Sequence, residues 1–232
     1  GGFYDVYFPG ESKNLYTVYG SSVNLQFDMG WANLMSITAY RGSKARLNGP
    51  DSFEVPFFED TPAVGQLEGL RTTNLGELFN RTWTQEFQLI SPASSRIRWV
   101  GGVFILRDSS GNKFRNDTRV VPPTGTRNQR AFTEQKTESY SAFAETTFPV
   151  LADSTRLTLG ARYTSDHRGV QGYAIQNTVN NPDVYTVRAG TTAADNPERS
   201  KTWSKPTYKA SLEHDLSEDK LVYFTFSTGF QS

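Results

Sequence analysis

Cysteine is absent from the 232 residues. Disulfide-stapled secreted scaffolds and thiolate metal sites are therefore excluded. Long apolar runs are absent too. No window approaches the roughly 18 consecutive apolar residues that mark a membrane-crossing helix, and the mean hydropathy is -0.54. Histidine is scarce, with His167 and His214 alone. No zinc-protease, esterase-elbow, phosphate-loop or dinucleotide signature occurs, so catalysis has little to work with. Neither sign of charge is in excess, since Lys+Arg and Asp+Glu are both 24. A balanced chain without a basic stripe does not point to nucleic acid. Helix signals are weak. The best stretch, 62–79, is interrupted by three glycines and is read as loop.

What the sequence does have is aromatic residues, 13% of the total, beside a low average hydropathy. It also has period-2 alternation, the mark of a strand with two unlike faces. Eight segments carry it: 15–27, 31–43, 80–91, 96–108, 134–148, 155–167, 205–216 and 220–231. In RLTLGARYTSD (156–166), Leu157, Leu159, Ala161 and Tyr163 share one parity, and Arg156, Thr158, Gly160 and Arg162 share the other. A usual strand has about 5–6 residues; these run to about twelve. A tilted strand needs about 9–11 residues to cross a bilayer.

The connections alternate. Asp28-Met29-Gly30, Pro92–Ser95, 149–154 and Ser217-Glu218-Asp219 are short, whereas 44–79, 109–133 and 168–204 are long and rich in Gly, Pro, Asn and Thr. In an up-and-down sheet this places every short turn on one rim and every long loop on the other, the asymmetry of transmembrane β-barrels. The expected fold is therefore all-β: an antiparallel up-and-down transmembrane β-barrel segment of about eight long strands. Trp31, Trp83, Trp99, Trp203, Tyr40, Tyr163 and Phe148 lie near strand ends, where aromatic girdles belong.

Three phrases are similar to the barrel domain of TonB-dependent outer-membrane receptors. They are TWTQEFQLISPASSRIRWVGGVF (82–104), ESYSAFAETTFPVLADSTRLTLGARYTSD (138–166) and KPTYKASLEHDLSEDKLVYFTFSTGFQS (205–232). The resemblance covers most of the chain from about residue 80 onward. It implies a larger barrel plugged by a globular domain in the bacterial outer membrane. It also implies uptake of a scarce nutrient such as a siderophore–iron complex, cobalamin or a glycan, driven through TonB. The implied partners are outer-membrane lipid and lipopolysaccharide, a small-molecule nutrient and, through a plug region, the TonB complex. Residues 1–232 are expected to be one part of such a barrel domain, with no plug and no TonB box in view. Two alternatives remain: a soluble all-β ligand-binding module, and a small closed eight-stranded outer-membrane barrel with a structural or adhesive role.

No cofactor, metal or catalytic residue is expected. His167 and His214 fall at opposite ends of neighbouring strands. The acidic residues of DSFEVPFFED (51–60) lack the spacing of a calcium loop. The same stretch supplies Phe53, Phe57 and Phe58, which with Tyr173 and Tyr185 are the candidates for ligand contact from long loops. Glu86, Gln88, Glu145, Arg156, Arg162, Lys209 and Glu213 occupy polar parities and are expected to face a wet lumen.

Overall fold

Turn residues and alternation build the sheet from its short-turn end. Gly30 has φ of +83°, a left-handed value that favours glycine. Its N–H donates to Asp28 Oδ1 at 2.7 Å, and the Met29 N–H donates to the Ala32 carbonyl at 2.9 Å. This turn reverses the chain between β1 (Lys13–Asp28) and β2 (Asn33–Pro50). The computed structural model describes residues 13–50, 71–119, 126–151, 154–178, 181–187 and 199–232. Within them β3 (Arg71–Ile90), β4 (Arg98–Arg119), β5 (Thr126–Leu151) and β6 (Thr155–Thr178) follow. The short β7 (Asn181–Val187), β8 (Arg199–Ser217) and β9 (Lys220–Ser227) complete the set.

The strands form one antiparallel sheet in the order β1-β2-β3-β4-β5-β6-β8-β9, and β7 hangs on the end of β6. This is the up-and-down wall that the alternation implies. β1 and β9 are its two edges. A small barrel closed by pairing the first strand with the last is not what forms among the described residues.

The strands are longer than the alternation predicts. β5 has 26 residues and β6 has 24. At about 3.3 Å per residue, β5 is roughly 85 Å long, about two and a half times what crossing a bilayer requires. Residues 44–50, 71–79, 109–119, 126–133, 168–178 and 199–204, expected as loop, are strand, and so is 181–187. Backbone ladder bonds do not need an apolar face. Where both faces meet water, alternation disappears while pairing continues.

The register divides the side chains into two faces. Phe87, Val103, Ala142, Tyr163 and Pro206 lie in one ladder row, and Glu86, Phe104, Ser141 and Thr164 in the next row on the other face. The apolar face is the open one: Phe87 is 43% exposed, Tyr163 55% and Phe224 73%. The polar face is crowded, and Ser141, Thr158 and Ser211 are buried on it. Side chains crowd on the inner side of a curved sheet, so the polar face is concave. The only buried apolar residues among those described are Ala32 and Ala45. A water-soluble sandwich would bury its apolar face against a second layer. No such layer is present among the described residues.

The aromatic residues show how the wall tilts. Tyr40 pairs with Trp83. Tyr140 lies one same-face ladder row nearer the short turns, Tyr163 one row further, and Tyr208 one further again. The descent is six residues across five strand spacings. At about 3.3 Å per residue and 4.8 Å between strands, about 20 Å of descent over about 24 Å of sheet is a tilt of roughly 40°. Barrel strands tilt by about 35–45°. At the short-turn end Trp31 stacks on Trp99 with ring centroids 6.5 Å apart. Along β3, the eight residues from Trp83 to the level of Ser91 and Trp99 rise roughly 20 Å at this tilt. That is close to the apolar band of about 25 Å on transmembrane barrels.

Candidate functional site

The polar face is the first candidate surface. All six charged residues expected to face a lumen, Glu86, Glu145, Arg156, Arg162, Lys209 and Glu213, share it in the observed register. Three clusters form on it. Near the short turns, Arg156 donates to Asp215 through Nη1 at 2.6 Å and Nη2 at 2.9 Å, and its Nε lies 3.5 Å from Glu213. A planar guanidinium matches a carboxylate in this two-point way, which fixes orientation as well as charge. In the middle, Lys209 Nζ reaches Glu145 at 3.0 Å. The two lie on either side of Gly160, in the row Glu145–Gly160–Lys209. Gln88 Nε2 donates to Glu86 at 2.6 Å on the same face.

The third cluster holds a cation with no carboxylate against it among the described residues. The Arg162 guanidinium lies 5.7 Å from the Phe104 ring centroid and 5.8 Å from that of Phe143. Aromatic faces attract a guanidinium through their quadrupoles. Phe143 lies flat because Gly102 faces it: a Cβ on Gly102 would meet Phe143 Cζ at 2.8 Å and the Phe87 carbonyl oxygen at 2.4 Å. Between the charges run hydroxyl pairs, Thr147–Thr158 at 2.8 Å and Ser211–Thr225 at 2.7 Å. The face as a whole is wettable, charge-paired and lined with fixed donors.

The expected ligand-contact residues are not gathered there. Phe53, Phe57 and Phe58 lie outside the described residues. Tyr185 is in β7, where its backbone pairs with Asn177. Tyr173 is on the extended part of β6 and shares the parity of Tyr163, on the apolar side of the wall. It packs against Phe132 with centroids 5.7 Å apart. Trp203 shares the polar face, opposite Asp166, with Lys201 Nζ 5.1 Å from its ring centroid.

The two histidines are far apart. His214 pairs with Thr155 and His167 with Thr202. Each ring accepts or donates one bond to its threonine partner, at 2.8 Å and 2.9 Å. Twelve residues of β6 separate the two pairs, roughly 40 Å.

A further cluster lies on the opposite face, where the sequence suggested only loop. On the extended ends of β2, β3 and β4, Glu77 meets Lys44 at 2.9 Å, Arg46 at 3.8 Å and Lys113 at 3.8 Å. The Lys44 hydrogen bond, with the two further cations, holds the Glu77 carboxyl below its ordinary value. Nearby, the Ser109 hydroxyl and the Gln171 amide both donate to Glu134 at 2.7 Å. These donors, the Ser109 bond first, likewise lower the Glu134 pKa. In the observed register Lys44 and Arg46 share the face of Tyr40, and Lys113 that of Val103, although nothing in 44–50 or 109–119 marks those residues as strand.

Comparison with known proteins accords with this architecture. No curated protein matches the sequence. Among solved structures, the fold is similar to the crystal structure of the ferric yersiniabactin uptake receptor FyuA from Yersinia pestis. The TM-score is 0.60 at 12% sequence identity, over 90% of this chain and 27% of that one. The chain thus spans about a quarter of that receptor's length. The sequence model of the TonB-dependent receptor-like β-barrel family matches residues 2–232. With a tilted two-faced wall and a match along nearly its whole length, the chain belongs to the TonB-dependent receptor-like β-barrel family.

Proposed function

We propose that this chain is part of the wall of an outer-membrane receptor that imports a scarce nutrient, a siderophore–iron complex before cobalamin or a glycan, with energy delivered by TonB. The observation that carries the reading is the pairing of an uncovered apolar face with a concave, charge-paired polar face. Lipid covers the first. The second, with Glu86, Glu145, Arg156, Arg162, Lys209 and Glu213, lines a wet lumen. The bidentate Arg156–Asp215 pair stands at the short-turn, periplasmic end, where a plug domain would rest. We assign selection of the nutrient to Phe53, Phe57 and Phe58, together with Tyr173 and Tyr185 on the β6 and β7 extensions. Outer-membrane lipid and lipopolysaccharide surround the wall. The chemistry is capture and passage rather than bond-making.

Uptake in cells tests this directly. The intact protein should bind one labelled class among ferric chelates, cobalamin and oligosaccharides at the cell surface. Collapse of the proton-motive force should abolish accumulation and leave surface binding in place. Accumulation that continues unchanged after collapse would contradict the energy-coupled reading. Replacing Phe53, Phe57 and Phe58 together by Ala should weaken surface binding at least about tenfold, as expected when stacked aromatic contacts are lost.

A further inference from the structure

The concave face changes character on the extended strands. One ladder row there is Leu47, Gly76, Phe114, Ala131 and Ala174. The next row towards the short turns is Ala45, Leu78, Asn112, Thr133 and Gly172. Neither row holds a charge. Leu47 lies over Gly76, where an added Cβ would touch it at 3.4 Å. Leu78 is 46% exposed and Phe114 39%, on a face whose lower rows are polar. Leu47, Leu78 and Phe114 thus form an apolar shelf on β2, β3 and β4. An exposed apolar patch rimmed by polar residues marks a contact surface.

β6 and β8 carry the opposite character at the same face. From the row of Arg199 to the row of Arg162, the described residues place Arg41, Arg162, Arg168, Arg199, Lys201 and Lys205 against Glu86, Asp108 and Asp166. Six cations against three carboxylates leave three positive charges over. The carboxylates are already bonded to neutral donors: Glu86 to Gln88, Asp108 to Asn80 and Thr82, and Asp166 to the Ser232 hydroxyl. Among the described residues no carboxylate lies within ion-pair distance of Arg168, Arg199, Lys201 or Lys205. Arg168 Nε has no hydrogen-bond partner among them, and Lys201 Nζ rests 5.1 Å from the Trp203 ring centroid.

The two regions stand at one level. Leu78 is five residues from Trp83 along β3, Arg168 five from Tyr163 along β6, and Trp203 five from Tyr208 along β8. At the observed tilt each is roughly 13 Å past the aromatic row. Along the sheet, Leu78 and Arg168 are separated by four residues and three strand spacings, roughly 20 Å. Side chains reaching in from both ends shorten that gap. Hydrocarbon gains by leaving water for an apolar shelf. An anion gains from guanidinium and ammonium donors that hold no carboxylate. Small-molecule sites combine the two, an apolar lining with a few placed polar groups. From this juxtaposition we infer that the mouth of the lumen selects an amphiphilic anion, with a hydrocarbon arm on Leu47, Leu78 and Phe114 and its negative end at Arg168 and Lys201. The inference rests on the proposed import function and names the class of nutrient within it. A neutral chelate or a wholly hydrophilic anion satisfies one region and leaves the other bare.

The test uses the intact protein in a Gram-negative outer membrane and four iron(III) complexes as probes. They are a tris-catecholate, which is a trianion, and a tris-hydroxamate, which is neutral, each with and without a hexanoyl arm. Radioiron reports binding to isolated outer membranes and accumulation in cells, and heat-modifiable migration reports folding. The trianion with the arm should bind at least about tenfold more tightly than the trianion without it or the neutral complex with it. The pair Leu78→Asn, Phe114→Asn should erase the gain from the arm and keep the gain from charge. The pair Arg168→Gln, Lys201→Gln should do the reverse. Lys220→Gln, at the short-turn end, should match the wild type. The four-probe comparison on the wild type decides the case even where a variant fails to fold. Equal binding of all four would overturn the inference and leave the import function standing. A folded Leu78→Asn, Phe114→Asn variant that keeps the full gain from the arm would mean that the chain's own long connections cover the shelf, and would overturn the assignment. Accumulation of none of the four would instead contradict import of iron chelates and overturn the inference with it.

Discussion

Phe87→Arg should cost about 2–4 kcal/mol of barrel stability and block insertion into bilayers, while its neighbour Gln88→Arg should cost less than about 1 kcal/mol. Phe87 lies midway between Trp83 and the Trp31–Trp99 stack, on the open apolar face. A charged side chain at the middle of a lipid-facing band costs about 2–4 kcal/mol on β-barrels, and the same charge on the lumen side costs little. Gln88 is on the polar face and donates to Glu86 at 2.6 Å, a bond that an arginine can replace. The two positions differ by one residue and by face, which makes the contrast independent of general tolerance to arginine. The measurement is a denaturant titration of the intact protein in lipid vesicles, read by heat-modifiable migration. Equal losses at both positions would mean that neither face meets lipid.

Gly102→Ala should destabilise the wall by about 1–3 kcal/mol, the usual range for overpacking, whereas Gly101→Ala should be neutral or stabilising by up to about 1 kcal/mol. A methyl at Gly102 would come within 2.4 Å of the Phe87 carbonyl oxygen, which belongs to the backbone of β3 and cannot turn away. It would also lift Phe143, whose ring lies 5.8 Å from Arg162. The effect should therefore spread to the Arg162 cation, loosening it from the two rings while its bond to the Thr164 hydroxyl stays. A methyl at Gly101 meets only the Phe143 carbonyl oxygen, at 3.7 Å, which is ordinary contact. There the substitution mainly removes freedom from the unfolded chain. Unfolding midpoints of the two variants under identical conditions check the pair.

The sequence was most legible where one face meets an apolar medium. In 80–91 and 155–167 that face imposes period 2, and the observed ladders put Phe87, Val103, Ala142 and Tyr163 in one row as the parity implies. Parity also gathered Glu86, Glu145, Arg156, Arg162, Lys209 and Glu213 onto a single face, although they come from four strands. What could not be read was the continuation of the strands past the aromatic row. There both faces are wet and the composition is that of a loop, so 44–50, 71–79 and 109–119 carry no periodic signal even though their backbones pair fully. The Glu77 cluster was hidden for the same reason. Lys44, Glu77 and Lys113 meet only if the register set near the short turns is carried up the extended strands. The stack of Arg162 on Phe104 and Phe143 was hidden differently: it depends on Gly102 leaving room for a ring, which alternation does not encode.

These 232 residues hold no cysteine, so a single cysteine introduced among them is the only thiol of this part of the wall. Cysteines placed one at a time from 157 to 164 on β6 of the intact, membrane-inserted protein can be probed with a water-soluble maleimide and with a lipid-borne quencher of an attached fluorophore. Strict alternation is expected. Thr158, Gly160, Arg162 and Thr164 as cysteine should react from water and escape the quencher. Leu157, Leu159, Ala161 and Tyr163 as cysteine should resist the maleimide and be quenched from lipid. Uniform reaction from water, or an alternation of the opposite phase, would contradict the two-faced wall.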